Sequence, residues 1–309
     1  MNDRSTAGPL AALLISCVLT ATWPIVGKRA STYFDPLTFA WLGNMIACLC
    51  LAPLALREGR WRRIVEPGLR GKLFIIGGVG TGITSLLLQV AMTQTTPANG
   101  AIVCQVEVVY SAFLAAWLLG ETISSSQGAA TALVLTGTGL IVWKDLGTPH
   151  WKGDLILLIT PWLFQASHIV TKRLPGDLDS WTIASARIFY GGLVLTPFAL
   201  ANLALGRATF SAEPSALALC VYQGAVLSAV TVPLWYMALR RLELAKTTAI
   251  MLSYPALTVL FSWGLGEELI GPHQLAGLAC SMLGAVWLSS QLKRVEPGSI
   301  LPEARPEPA

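Results

Sequence analysis

Ten stretches of mostly apolar residues, each close to twenty long, follow one another along this chain with only short polar breaks between them. They run from about Leu10 to Gly27, Leu37 to Leu56, Leu73 to Met92, Ala98 to Leu119 and Gln127 to Trp143. The second five run from about Leu155 to Thr171, Trp181 to Leu200, Leu217 to Leu239, Ala245 to Leu265 and Leu275 to Leu292. A helix that crosses a bilayer needs roughly 20 such residues. Charged residues are only 12% of the chain and hydrophobic ones 54%, whereas a soluble domain is about 25% charged. So few charges cannot cover a surface in contact with water, and so apolar a chain is not a disordered one. The period-two alternation of barrel strands is absent, so the stretches read as helices. The expectation is an all-α integral membrane protein with ten transmembrane helices. The first stretch resembles a signal peptide in position, but it is long, lacks a clean cleavage site and has nine more behind it.

Lys and Arg set the orientation, because they accumulate on the cytoplasmic side. With the N-terminus inside, the inner segments hold fifteen of them, including Arg57, Arg60, Arg62, Arg63, Arg70 and Lys72 in one loop. The outer segments hold five: Lys28, Arg29, Lys144, Lys152 and Arg207. Only Arg187 falls within a span. This predicts a multi-pass protein of the inner (cell) membrane with both termini cytoplasmic. The net charge of +4 forms no single basic face, which argues against nucleic acid as a partner. The six cysteines all lie in apolar stretches and read as small buried hydrophobes, neither disulfides nor metal ligands.

The two halves repeat each other. At a spacing of 144 residues Lys28-Arg29 meets Lys172-Arg173, Asp35 meets Asp179, Thr38 meets Thr182 and Pro53 meets Pro197. Further along the spacing becomes 147, pairing Gly77 with Gly224, Ala91 with Ala238 and Gly137 with Gly284. The predicted units are a first five-helix repeat over residues 1–152, a second over 153–294, and a proline-rich tail over 295–309 that reads as disordered and cytoplasmic. Five is an odd number, so the copies enter the membrane from opposite sides, giving a 5+5 inverted-topology repeat. That symmetry is typical of secondary transporters, which alternate access by rocking one arrangement against the other.

Several short motifs carry a family resemblance. They are Trp23-Pro24-Ile25-Val26-Gly27-Lys28 at the end of the first helix, Asp35-Pro36-Leu37 at the start of the second and Ala186-Arg187 in the seventh. Others are Tyr236-Met237-Ala238-Leu239 closing the eighth, and Tyr254-Pro255 with Glu268, Gly277 and Gly284 beyond it. On these the chain resembles the drug/metabolite transporter superfamily, and within it the ten-helix EamA-type carriers, from about residue 10 to 292. The resemblance implies a bundle that moves small metabolites, often amino acids or related compounds and often outward. Two positions depart from the pattern. Gly43 stands where the second repeat has Arg187, and Val108 stands where it has Pro255, so the first half is expected to lack both the membrane cation and the helix break.

Ionisable groups inside a membrane are costly and mark function. Three are expected there: Glu107, His168 and Arg187. Glu107, mid-way along the fourth helix, reads as a proton-coupling group, as a partner for a cationic substrate, or as a neutral acid fixing helix packing. His168 shares a helix face with Gln165, three residues before it. Arg187 lies about five residues into its helix, within snorkelling reach of the interface, and reads as a packing residue or headgroup anchor. Trp23, Tyr110, Tyr222, Trp235, Tyr236 and Tyr254, with Gln105, complete the expected substrate-binding set. Pro255 should interrupt the ninth helix and free the carbonyl of Met251. Gly78 and Gly82 read as close helix packing, since no strand or third glycine makes them a phosphate loop. Glu121, Glu267 and Glu268 read as structural residues at helix ends.

These features favour a secondary carrier of a small organic metabolite over an enzyme. The histidines (His150, His168 and His273) are scattered, and no nucleophile–base set or metal triad is present. No cofactor is implied, and with no Walker motif the energy has to come from a solute, proton or ion gradient. The partners are a small-molecule substrate and the lipid bilayer; a monomer and a homodimer both remain open. A flippase for lipid or polyprenyl-linked substrates, on the same fold but with a lateral opening, is the alternative.

Overall fold

The structure, a computed structural model, describes residues 7–57, 59–110, 113, 124–145, 148, 150–175, 177–239 and 250–291, and every regular element among them is a helix. The first half holds α1 (Ala7–Thr20), α2 (Trp23–Ala30), α3 (Pro36–Ala55), α4 (Arg60–Ile64), α5 (Pro67–Phe74), π1 (Ile75–Ile83), α6 (Thr84–Gln94), α7 (Pro97–Val103) and α8 (Ser125–Asp145). The second holds α9 (Trp151–Lys172), α10 (Ser180–Ala204), α11 (Pro214–Val221), π2 (Tyr222–Ser228), α12 (Thr231–Leu239), α13 (Tyr254–Gly264) and α14 (Pro272–Gln291). Six helical segments are long and apolar enough to cross a membrane by length and composition: Gly8–Ala30, Pro36–Ala55, Pro67–Gln94, Trp151–Thr171, Ser180–Ala204 and Pro214–Trp235. The expected tail beyond Val295 lies outside the described residues.

The same local chemistry builds both halves. Asp35 accepts the Thr38 N–H at 3.0 Å and Asp179 the Thr182 N–H at 2.7 Å, so α3 and α10 open on the same N-cap. Pro67 and Pro214 then open α5 and α11, where a missing N–H is harmless. Each of those helices passes into a π-helix at the equivalent residue, Ile75 or Tyr222. A π turn widens the spiral and disturbs the regular hydrogen-bond ladder. In both halves a threonine hydroxyl reaches back five residues to meet a carbonyl, Thr84 to Val79 at 2.5 Å and Thr231 to Val226 at 3.0 Å. Gln127 and Gln274 likewise each accept the N–H three residues earlier, at Ser124 and Gly271, both at 2.8 Å.

Packing between the halves repeats too, with the partners exchanged. A Cβ on Gly77 would meet Arg187 O at 2.7 Å and Tyr190 Cβ at 2.6 Å, while one on Gly224 would meet Gly43 O at 2.5 Å and Ile46 Cβ at 2.6 Å. Gly43 and Ile46 are the counterparts of Arg187 and Tyr190. Gly137 on α8 abuts Gly277 and Ser281 on α14, and Gly284 on α14 abuts Ala130 and Val134 on α8. Gly78 and Gly82 do pack against α10, at Val194 and Gly191. Small residues are frequent in the interior beside a few large ones such as Phe39 and Tyr190, whereas Leu49, Trp143, Phe198 and Leu269 lie on the outside. That distribution suits a lipid surround better than water.

Cys17, Cys104 and Cys220 are buried and all six cysteines are free. Cys50, however, faces outward, so it covers the apolar exterior and is not a buried packing group.

Candidate functional site

Two helices lose their regular backbone where they cross at the centre of the bundle. On the second-half side the backbone leaves the helix at Leu252–Ser253 and α13 starts at Tyr254, with Pro255 in its first turn. Pro255 has no N–H to continue a ladder, as the sequence suggests. The carbonyls met by side chains are those of Ile250 and Leu252: Cys17 Sγ reaches Ile250 O at 3.4 Å and Gln105 Nε2 reaches Leu252 O at 3.2 Å. On the first-half side α7 ends at Val103 and tightens into a 3-10 turn over Cys104–Val106 before residues 107–110 resume the helix. The first half thus tightens at the counterpart positions without leaving the helix, so the break expected at Pro255 has no full equivalent there.

Gln105 is 2% exposed, and its Oε1 has no hydrogen-bond partner. Glu107, two residues on, is only partly buried although Val106 and Val108 beside it are buried. Its Oε1 accepts the Gln165 amide at 2.8 Å. Arg187, Tyr254 and Cys104 are among the described groups within electrostatic range of this carboxyl. The Tyr254 hydroxyl donates to Ala101 O at 3.4 Å, and the Trp23 indole lies beside it. Tyr110 donates to Leu158 O at 2.8 Å and stacks on Trp162 at 4.5 Å between ring centroids.

The structure thus gathers Trp23, Gln105, Glu107, Tyr110, Gln165 and Tyr254 around one crossing. Tyr222 joins from the side, its hydroxyl 3.0 Å from that of Thr22, in an apolar cluster that Trp23 shares. His168 sits one turn beyond Gln165 with Phe164 for a ring neighbour at 6.5 Å. Trp235 is partly buried on α12, which packs against α1, and the Tyr236 side chain lies outside the described residues.

Arg187 is not at the interface. It is 8% exposed, its Nε donates to Thr81 Oγ1 at 3.2 Å and its Nη2 to Gly80 O at 3.3 Å. Counting residues from the helix start misjudges its depth, because the side chain turns inward onto π1 instead of out to headgroups. Gly80 makes room for this by packing directly on Ser167 of α9. Another acid is buried near the start of α9. Asp154 is fully buried and accepts the Thr95 hydroxyl at 2.6 Å. The only sequence signal for either was the run of glycines in π1 and at Gly153, which let neighbouring helices close in.

The end of the bundle near Lys28 is sealed by polar contacts. Arg29 pairs with Glu267, Glu268 Oε1 accepts the Ala98 N–H at 2.7 Å, and Gln274 Nε2 donates to Asn99 at 2.9 Å and to Glu268 at 3.2 Å. At the other end Arg60 pairs with Asp179 at 2.9 Å, and Arg63 with Glu66 and Asp177. Burial works against the charged form of Asp179, but the Thr182 hydrogen bonds and the Arg60 guanidinium outweigh it. The carboxyl is held below the ordinary carboxylate range.

Two tandem matches to the model of the EamA-like transporter family cover residues 8–143 and 151–290. The chain belongs to this family. Among other proteins, the EamA-like chain is 26% identical over 250 residues to a probable terminal-alkyne amino-acid exporter of Streptantibioticus cattleyicolor, covering 80% of each chain. It is 21% identical over 285 residues to an uncharacterized transporter of Clostridium kluyveri, covering 89% of this chain and 90% of that one. A solved crystal structure shares the fold, with a TM-score of 0.64 at 16% identity over 92% of this chain and 96% of its own. The EamA-like family is one of membrane transporters, so the chain is a transporter with a small-molecule substrate.

Proposed function

We propose that this EamA-like protein is a secondary carrier of amino acids or closely related metabolites, working outward. Its ten helices form a 5+5 inverted repeat, with units over residues 1–152 and 153–294 and both termini cytoplasmic. The observation that carries the reading is the exchange of contacts between halves, converging where the interrupted helix at Leu252–Ser253 crosses the 3-10 turn beside Glu107. Broken helices at a repeat interface are where secondary transporters bind their solutes. Alternating access then requires the sealed end at Arg29, Glu267, Glu268, Asn99 and Gln274 to part while the opposite end closes. The amino-acid exporter among its relatives supports the substrate class. Trp23, Gln105, Glu107, Tyr110, Gln165, His168, Tyr222, Trp235, Tyr236 and Tyr254 line the route in this reading, and Glu107 carries the proton that couples transport to a gradient.

Flux in proteoliposomes tests it. A pH gradient is imposed and lumenal pH is read while amino acids, amines, purines and small organic cations are added in turn. Solute-dependent proton movement is the expected result. Silence across the panel, with insertion verified, overturns the coupled-carrier reading.

A further inference from the structure

We infer that the crossing of the Leu252–Ser253 interruption with the 3-10 turn at Cys104–Val106 is an ammonium-binding site, so that the solute is held by a protonated primary amine. The inference rests on the carrier reading and adds the recognition chemistry.

One buried acceptor at the crossing is orphaned among the described residues. The side-chain donors around it reach acceptors within the protein, the Gln105 and Gln165 amides with one of their two N–H bonds each and the Trp23 indole at the Tyr254 hydroxyl. Gln105 Nε2 goes to Leu252 O, Tyr254 to Ala101 O, Tyr110 to Leu158 O, Cys17 to Ile250 O, Thr258 to Ala21 O and Gln165 Nε2 to Glu107 Oε1. What stands out is acceptor capacity: the orphaned Gln105 Oε1 and, two residues on, the carboxyl of the partly buried Glu107. The amide cannot be turned round to hide this. A flip would point Gln105 Oε1 at the Leu252 carbonyl oxygen and strand the NH2 group instead. A buried acceptor without a partner costs about 1–3 kcal/mol, which a ligand that donates hydrogen bonds recovers.

A site whose unmet buried atom is an acceptor, two residues from a carboxyl, is poor for a carboxylate or phosphate and suited to an ammonium group. Such a group offers three N–H bonds and a positive charge, for which Gln105 Oε1 and Glu107 supply oxygens. The Trp23 indole, hydrogen-bonded to the Tyr254 hydroxyl and packed on an apolar cluster, adds an apolar wall for the rest of the solute. Gln105 is thereby a specificity-determining residue. Because it faces the carbonyl of its own repeat counterpart, it sits where both halves meet and stays central whichever end of the bundle is open.

The experiment uses the full chain in proteoliposomes. Counterflow of each standard amino acid is measured, and those that move are competed with the corresponding decarboxylated amine and N-acetyl derivative. The amine is expected to compete and the N-acetyl derivative not to, since acetylation removes the charge and two N–H bonds. Gln105→Met, which keeps the volume without the oxygen, is expected to raise KM about tenfold, equivalent to about 1.4 kcal/mol. Thermal unfolding of that variant in detergent checks that it is folded, and Gln105→Glu, which restores an acceptor, is expected to recover amine competition. Equal competition by the N-acetyl derivative, or an unchanged KM in folded Gln105→Met, overturns the inference while leaving the carrier standing. So does transport confined to solutes without an amine. If no solute moves at all, the carrier reading falls and this one with it.

Discussion

Gln105 donates its side-chain amide to the main-chain carbonyl of Leu252, and the two residues stand 147 positions apart. That number is also the spacing of the internal repeat over this part of the chain, so each residue is the other's counterpart. The contact therefore joins equivalent positions of the two tandem repeats.

Glu107→Gln separates coupling from packing. The new amide oxygen can still accept the Gln165 N–H, so the fold is expected to hold. Without a titratable group, an imposed pH gradient should no longer accelerate flux, and the ratio of rates with and without the gradient should fall to about one. An undiminished response to the gradient removes Glu107 from the coupling route.

Glycine substitutions distinguish contact from mere composition in α8. A Cβ at Gly137 would lie 2.3 Å from Ser281 Oγ and 2.5 Å from Gly277 O, whereas one at Gly139 meets nothing within 4 Å. Gly137→Ala should destabilise the protein by about 1–3 kcal/mol through overpacking against backbone. Gly139→Ala should be neutral or stabilise it by up to about 1 kcal/mol, because alanine is the better helix former. Thermal unfolding in detergent reads both.

The two π-helices predict paired effects across the halves. Thr84→Val and Thr231→Val each remove a hydroxyl bonded to the carbonyl five residues back while leaving the shape almost unchanged. Each is expected to lower stability by about 1 kcal/mol. Similar losses from two sites 147 residues apart are what equivalent turns require; a loss at one site alone breaks that equivalence.

Asp179 gives a pH dependence with a definite sign. Its carboxyl is held below the ordinary range in the folded protein, so the unfolded chain binds the proton more readily. Its contribution is fully present above the unfolded value of about 3.9 and is lost as pH falls through the lower folded value. Asp179→Asn keeps the cap on Thr182 but gives up the charge toward Arg60, and should flatten the loss of stability on acidification below about pH 4. Unfolding temperature against pH, compared between the two proteins, shows the difference.

Much of the framework was legible because a duplicated sequence is read twice. Asp35 and Asp179 announced their caps, Pro255 announced its break, and the arginine-rich loop before α5 announced an end of the bundle. Features fixed by partners distant in sequence were not legible. Nothing between Cys104 and Val106 breaks a helix by itself; the turn there answers the chain crossing at Leu252. The depth of Arg187 depends on a π-helix that widens to receive it, and no 3.6-residue period reports such a turn. Asp154 looks like an interfacial acid until Thr95 of another segment is seen to cover it.

The paired π-helices also say something about ancestry. A π turn is what a single inserted residue leaves behind in an otherwise regular helix, tolerated when local bonding is repaired. Here the turn begins at equivalent residues, Ile75 and Tyr222, and is repaired by the same threonine in both copies. Two independent insertions with identical repairs are less economical than one. The insertion thus predates the gene duplication, and the ancestral unit already carried it when two copies were first joined in tandem.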